Sequence, residues 1–331
     1  MRIVAAPDKF RGTATAAEVA GAIAAGARAA GAECTEVPLA DGGEGLLEVL
    51  GGANRSTVVT GPLGDPVEAP WRLAKGTAVI EMARASGLEL VGGAAGNDSI
   101  AAATHGTGEL IAAALDAGAK RVIVGVGGSA TTDGGLGALR ALYPLQRLRG
   151  IELIVACDVT TRFVDAADLF AAQKGASAAQ IELLRRRLER LAQVYVEDHG
   201  VDVTALAGGG AAGGLAGGLA AVGGQLVSGF DLVVDELELA EQIEGADLVV
   251  TGEGFVDAQS FDGKVVGGVA ELSAEIGVPV LVVAGEVFDG VDQRLDALSL
   301  VERYGRERAM AEPLPCITEI VAERVAQRAG R

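Results

Sequence analysis

The chain has 331 residues, long enough for two domains, and its 50% hydrophobic and 22% charged residues supply a sizeable core and argue against a disordered chain. A formal charge of −18 argues against nucleic acid or an anionic membrane as partner, since both demand a basic field. Three scattered cysteines and two histidines fit a reducing compartment and leave little material for a histidine-rich metal site or a Ser-His-Asp hydrolase.

Apolar strand, glycine-rich turn and Ala-rich helix alternate along the chain. RIVAA (2–6) reads as a strand, and residues 14–31 as a helix capped by Thr13 or Thr15. TEVPLA (35–40) reads as the second strand, and GEGLLEVLGG as a short helix ended by Gly51 and Gly52. Between about 57 and 91, short β-rich runs split by Gly-Pro and Asp-Pro turns predict an antiparallel portion. A helix over 106–119 leads into a strand over 121–128, and a further strand spans 151–158. The long helix over 177–200 ends at Gly200, and its RRRLER run reads as a solvated face. From about 246 the rhythm returns as ADLVVTG, a helix over 264–276, VPVLVVAG, and a closing helix near 313–328.

This alternation predicts an α/β fold with a mostly parallel, doubly wound sheet. The interruption in the middle predicts an inserted domain: 1–62 with 240–331 form one, and 63–239 the other. MRIVAAPDKF has too short an apolar run for a signal peptide, and no window of about 18 apolar residues spans a bilayer. The expectation is a cytoplasmic protein.

Ligands of open α/β sheets bind beyond the carboxyl ends of the strands, so the polar residues there carry the argument. PDKFRG places Asp8, Lys9 and Arg11 after the first strand. ADGGEG places Asp41 and Glu44 after the second, around Gly42 and Gly43. GVGGSATTDGGLG holds Ser129, Thr131, Thr132 and Asp133. ACDVTT puts Asp158 at a strand end, QKGAS brings Lys174, and AGGGAAGG opens another helix. GEGFVDAQSFDGK carries Glu253, Asp257, Ser260 and Lys264.

Taken singly, a glycine cluster before a helix is an ordinary tight turn and an Asp there an ordinary cap. Together these turns suit phosphoryl transfer. Glycine turns at helix starts offer N–H groups to phosphate, carboxylates hold Mg²⁺ or accept a hydroxyl proton, and Lys or Arg neutralises developing charge. Two familiar nucleotide motifs fall short. AQSFDGKV matches a P-loop only at Gly263 and Lys264. GVGGSA (125–130) fits the loose dinucleotide pattern but lacks an acidic strand end about 20 residues on.

APDKFRG, PLADGGEG, VTGPLGDPVEAPW, AVIEMARASGLELV, GTGEL, GVGGSATTDGG, ACDVT, QKGAS, GGGAAGG and TGEGFVDAQSFDGK, in this order from residue 5 to about 285, resemble the type 1 glycerate kinases of bacteria. The resemblance implies a two-domain glycerate kinase-like fold: a Rossmann-like parallel sheet domain, a second α/β domain inserted in it, and the active site in the interdomain cleft. It implies ATP- and Mg²⁺-dependent phosphorylation of D-glycerate, usually to 2-phosphoglycerate in bacterial members, with 3-phosphoglycerate as the other isomer. It places Asp8, Lys9, Arg11, Asp41, Gly42, Gly43, Glu44, Gly127, Gly128, Ser129, Asp133, Asp158, Lys174, Glu253, Asp257, Ser260 and Lys264 in the site. The chain departs from the family pattern in being shorter between Tyr143 and Gly150, and in carrying Phe255 where an arginine follows Gly-Glu-Gly.

Chemistry then assigns roles. Asp41 or Asp257 accepts the hydroxyl proton, and Glu253 and Asp158 are the Mg²⁺ candidates. Lys9, Arg11, Lys174 and Lys264 bind carboxylate and phosphates, and the glycine loops at Gly127 and at Gly209 and Gly210 take phosphate oxygens. The open alternatives are a kinase of another small hydroxy acid, a nicotinamide-dependent oxidoreductase using GVGGSA, and a ligand-binding protein without turnover. Ala-, Gly- and Leu-rich faces would permit a homodimer.

Overall fold

The computed structural model describes residues 1–10, 12–256, 260, 264–288 and 296–330. Arg11 and Asp257 lie outside the described residues. The chain divides into two compact units, Met1–Asp41 with Phe230–Arg331, and Gly42–Gly229.

In the first unit five parallel strands lie in the order Asp296–Ser299, Val280–Ala284, Leu248–Thr251, Arg2–Ala5, Glu33–Glu36. Ile3 sits opposite both Cys34 and Leu248. The neighbours Val249 and Val250 point to opposite faces and are both fully buried, so both faces of the sheet are covered. That is why these strands read as unbroken apolar runs. The helix Ala16–Ala29 starts at Thr15, whose hydroxyl accepts from the Glu18 N–H while the Glu18 carboxylate accepts from the Thr15 N–H. Its Val19 and Ile23 join Ile3, Val250, Leu281 and Val321 in the core.

The second strand ends at Glu36, earlier than TEVPLA predicts. Residues 37–40 instead follow the loop after the first strand, with the Val37 N–H donating to the Ala5 carbonyl and the Leu39 N–H to the Pro7 carbonyl.

The second unit holds a six-stranded mixed sheet in the order Arg55–Thr60, Pro66–Ala74, Thr77–Glu81, Arg121–Gly125, Glu152–Cys157, Gln225–Ser228. Its first two pairings are antiparallel and the other three parallel. Trp71, Ile80, Met82, Leu110, Val122, Val124, Leu142 and Leu215 share one core cluster. The helix Ala178–His199 is capped by Ser177 and ends at Gly200. It buries Leu184, Leu188 and Tyr195, while Arg185 and Arg186 pair with Glu182 on the solvated side.

The units part at 41/42 and 229/230, whereas the sequence places the breaks near 62 and 240. Residues 42–62 belong with the second unit because Glu81 accepts from Gly45 and Leu47, and because Arg55–Thr60 pairs with Pro66–Ala74. Phe230 belongs with the first because its ring packs where a side chain on Gly268 would stand. Among the described residues no helix is long and apolar enough to cross a membrane.

Candidate active site

In the first unit, the loops leaving Arg2–Ala5 and Leu248–Thr251 stay bonded beyond the strands. The Asp8 N–H donates to the Gly252 carbonyl at 2.9 Å, and the Thr251 hydroxyl to the Ala6 carbonyl at 2.7 Å. This holds Asp8 and Glu253 at the carboxyl ends of adjacent strands, with Asp41 following the strand on the other side of Arg2–Ala5. Asp8 is buried, and its carboxylate accepts from the Lys9 N–H at 2.7 Å. Burial pushes the Asp8 carboxyl up to about 7; the Lys9 charge opposes this, and the like charges of Asp41 and Glu253 add to it. Lys9, Asp41 and Glu253 are half-buried.

Ser260 is buried, and Lys264 is half-buried at the N-cap position of the helix Val265–Ile276. The predicted residues Asp8, Lys9, Asp41 and Glu253 therefore form one acidic cluster with a lysine among it. Among the described residues no three His, Cys, Asp or Glu side chains make a metal cage. Mg²⁺ needs none, because it takes one or two carboxylates and keeps waters or phosphate oxygens in its other positions. A buried carboxyl raised by like-charged neighbours, all hard oxygen donors, is an environment that such a cation relieves.

In the second unit, Gly42 to Glu44 lie across the carboxyl ends of the central strands. A side chain on Gly127 would come within 2.9 Å of the Gly43 Cα, so only glycine permits this approach. Gly128 is exposed, Gly43 half-buried, and Glu44 exposed. Buried Glu81 fixes this loop: one carboxylate oxygen accepts from the Gly45 and Leu47 N–H groups, and the other takes the Arg84 Nε–H, all at 2.9 Å.

Beside it, Lys174 is only 4% exposed. Its Nζ donates to the Ser129 Oγ and to the Thr131 carbonyl, each at 2.7 Å. Burial lowers Lys174 to about 7, against the opposing pull of Asp133. Asp158 is exposed at the end of Glu152–Cys157.

Two groups expected at substrate or phosphate are engaged within the fold. The Asp133 carboxylate accepts from the Thr104 N–H and hydroxyl and from the Gly135 and Gly137 N–H groups, at 2.8 to 3.1 Å. It brackets the turn that opens the helix Leu136–Ala141. The N–H groups of Gly209 and Gly210, expected at phosphate, donate to the Leu206 and Thr161 carbonyls. The dinucleotide reading of GVGGSA also loses its context, because the next helix opens only at Leu136, behind the Asp133 turn.

Two residues of the second-unit cluster escaped the sequence reading. Glu81 carried a signal, a carboxylate ending the buried run TAVIE. Asn97, which donates to the Ala130 and Lys174 carbonyls, sits in a loop with no pattern to mark it.

The chain is similar to known proteins over most of their length. The glycerate kinase family model matches residues 3–143 and 144–328. The glycerate 2-kinase of Escherichia coli strain K12 is 41% identical, over 88% of this chain and 87% of its own. The glycerate kinase of Bacillus subtilis strain 168 is 39% identical, over 87% of this chain and 85% of its own. The crystal structure of a provisionally assigned glycerate kinase 2 from Salmonella typhimurium LT2 superposes with a TM-score of 0.85 at 38% identity, covering 100% of this chain and 99% of that one. The chain belongs to the glycerate kinase family.

Proposed function

We propose that this protein phosphorylates D-glycerate with ATP and Mg²⁺ in the cytoplasm, yielding 2-phosphoglycerate. Family membership carries the reaction class, a phosphotransferase with an alcohol acceptor. The observation that carries the chemistry is the buried Asp8 at the carboxyl ends of the parallel strands, with Lys9, Asp41 and Glu253 acting on it. Such a cluster needs cations, and it supplies what phosphoryl transfer asks of a protein: carboxylates for metal and proton, and lysine for phosphate.

In this reading a glycerate hydroxyl oxygen attacks the γ-phosphorus, the bond to the β,γ-bridging oxygen breaks, and ADP leaves. The hydroxyl proton passes to a carboxylate, Asp41 or Asp257. Glu253, with Asp8 near it, would hold Mg²⁺, and the ion would supply positive charge to offset the phosphoryl oxygens. Exposed Asp158 is the second metal candidate. Lys9 and Lys264 offset charge on the transferring group, with Arg11 beside Lys9 in sequence. Gly42, Gly43 and Glu44, with Gly127 and Gly128, line the carboxyl ends of the second sheet, where Ser129 and Lys174 stand ready for an anionic group. Ser260 precedes Lys264 on the approach to the helix Val265–Ile276.

³¹P NMR of the purified protein with ATP, Mg²⁺ and D-glycerate tests this. A phosphomonoester signal that couples to one proton identifies the 2-phosphate, and coupling to two protons the 3-phosphate. A folded protein that gives neither signal defeats the proposal.

A further inference from the structure

Beyond the first sheet, the adjacent strands Leu248–Thr251 and Val280–Ala284 lead into a short parallel ladder, in which Phe255 is opposite Glu286 and Val256 opposite Val287. Glycines let the two backbones close here. A side chain on Gly252 would overlap the Val283 carbonyl, and one on Gly285 the Gly254 carbonyl. The Gly285 and Glu286 N–H groups donate to the Glu253 and Gly254 carbonyls at 3.2 Å, and the Phe288 N–H to the Val256 carbonyl at 2.9 Å. Val256 is fully buried with Val266, Val282 and Ala284, and Val287 packs against them. Strand alternation then turns Phe255 and Phe288 to the opposite face.

There the two rings stack, with centroids 4.2 Å apart and planes 30° from parallel. Both remain exposed, Phe255 at 49% and Phe288 at 41%. Glu286, on the same face, is tied to Arg306 at 2.6 Å. An exposed pair gains the fold little by burial, yet it offers a rigid apolar platform on which a flat heteroaromatic ring can continue the stack.

Phe255 lies two residues beyond Glu253, at most about 7 Å of chain, and so beside the acidic cluster that Glu253 shares with Asp8 and Asp41. It also stands where the family pattern carries an arginine. That exchange gives up the charge a phosphate or carboxylate would need. It keeps a flat face, since a guanidinium plane and a phenyl ring both stack on a base. We propose that Phe255 and Phe288 form the stacking platform for the purine base of a nucleotide whose phosphates lie at the acidic cluster. That the ligand is a nucleotide rests on the proposed function, whereas the placing of a flat aromatic ligand on this pair does not.

The test is calorimetric titration of the full chain with ADP and, separately, with pyrophosphate and with D-glycerate, for the unmodified protein, Phe255→Ala and Phe288→Ala. Both side chains are exposed, so truncating them leaves the core intact. The expected result is a loss of about 5- to 100-fold in ADP affinity in each variant, the scale of one base–aromatic stack, with pyrophosphate affinity unchanged. Phe255→Trp keeps the platform and adds a reporter, because Trp71 is buried in the core of the second unit. ADP should bind this variant as it binds the unmodified chain and quench the new emission, and pyrophosphate should leave the emission unchanged.

ADP affinity equal in all three proteins overturns the platform, and so does an equal loss for ADP and pyrophosphate, which would place the effect on the phosphates. Weaker D-glycerate binding with ADP affinity unchanged overturns it in favour of an acceptor contact. No ADP binding by the unmodified chain overturns it as well. The NMR assay keeps the two proposals apart: ring-sensitive ADP binding without phosphorylation defeats the kinase and spares the platform, and phosphorylation with ADP affinity unaffected in the variants does the reverse.

Discussion

The Glu81 carboxylate holds the Gly45 N–H at 2.9 Å across 36 positions of sequence, and the same oxygen holds the Leu47 N–H at 2.9 Å. At 2% exposure Glu81 has no water to replace these partners. It is the peg on which the Gly42–Gly45 turn hangs. Glu81→Ala should lower stability by about 2–4 kcal/mol, because two backbone donors lose a charged acceptor. Arg84→Gln should cost under about 1 kcal/mol, since Arg84 is half exposed. Urea unfolding of both variants checks the order; equal losses would mean that the salt bridge, and not the loop, is what Glu81 serves.

Lys174 gives the chain a pH dependence of known sign. Its folded value, about 7, lies below the 10.5 of a free lysine. Between those values the unfolded chain holds a proton that the folded chain has released, so the Lys174 contribution to stability rises with pH across that window. Below about pH 7 both states are protonated, and the full cost of the buried charge is felt. Lys174→Met should therefore gain most on the unmodified protein below pH 7. That advantage should shrink by about 1.4 kcal/mol for each pH unit between the two titrations. Thermal or urea unfolding at pH 6, 8 and 10 reads the trend, and a difference independent of pH would show that the ammonium is not desolvated.

Much of this was legible in the sequence, and for physical reasons. The parallel strands are covered on both faces, so Leu248–Thr251 and Val280–Ala284 stand out as apolar runs, and Ser177, Thr15 and Gly200 bound their helices with side chains or turns that only those ends need. The carboxyl-end rule grouped Asp8, Asp41 and Glu253, and the topology does bring those loops together. What sequence could not show is where a polar atom spends its hydrogen bonds. Asp133 stands in a motif that suits a ligand, and its carboxylate also brackets a turn; the amides of Gly209 and Gly210 are engaged with the Leu206 and Thr161 carbonyls. Asn97 looks like a loop residue, yet it ties Ala130 to Lys174. These are long-range pairings, invisible to periodicity or spacing.

The bracket role of Asp133 makes its own forecast. Asp133→Ala strands three backbone donors and the Thr104 hydroxyl. Stability should fall by about 3 kcal/mol or more, given roughly 1–3 kcal/mol for each unsatisfied buried group. Fraction-corrected affinities for ADP and D-glycerate should stay within about threefold, because a broken bracket lowers the folded population rather than removing a contact. Weaker binding by fully folded Asp133→Ala, with stability intact, would return Asp133 to the ligand site.

The proton acceptor remains a choice between Asp41 and Asp257, and kinetics can make it. A general base contributes about 10²–10⁴ to turnover, and it acts on the transition state rather than on bound glycerate. Asparagine at the base position should therefore lower kcat by that factor with KM for glycerate nearly unchanged, since the amide keeps the shape and loses the basicity. At the other position the same change should act through binding, raising the apparent Mg²⁺·ATP requirement and leaving kcat at saturation within about tenfold. Asp41 belongs to the acidic cluster, where its charge acts on Asp8. Asp41→Asn should consequently also relax the repulsion there and leave stability equal or higher. Measuring kcat, KM and urea stability of Asp41→Asn and Asp257→Asn together separates the roles, and full turnover in both variants would rule out a carboxylate base at either position.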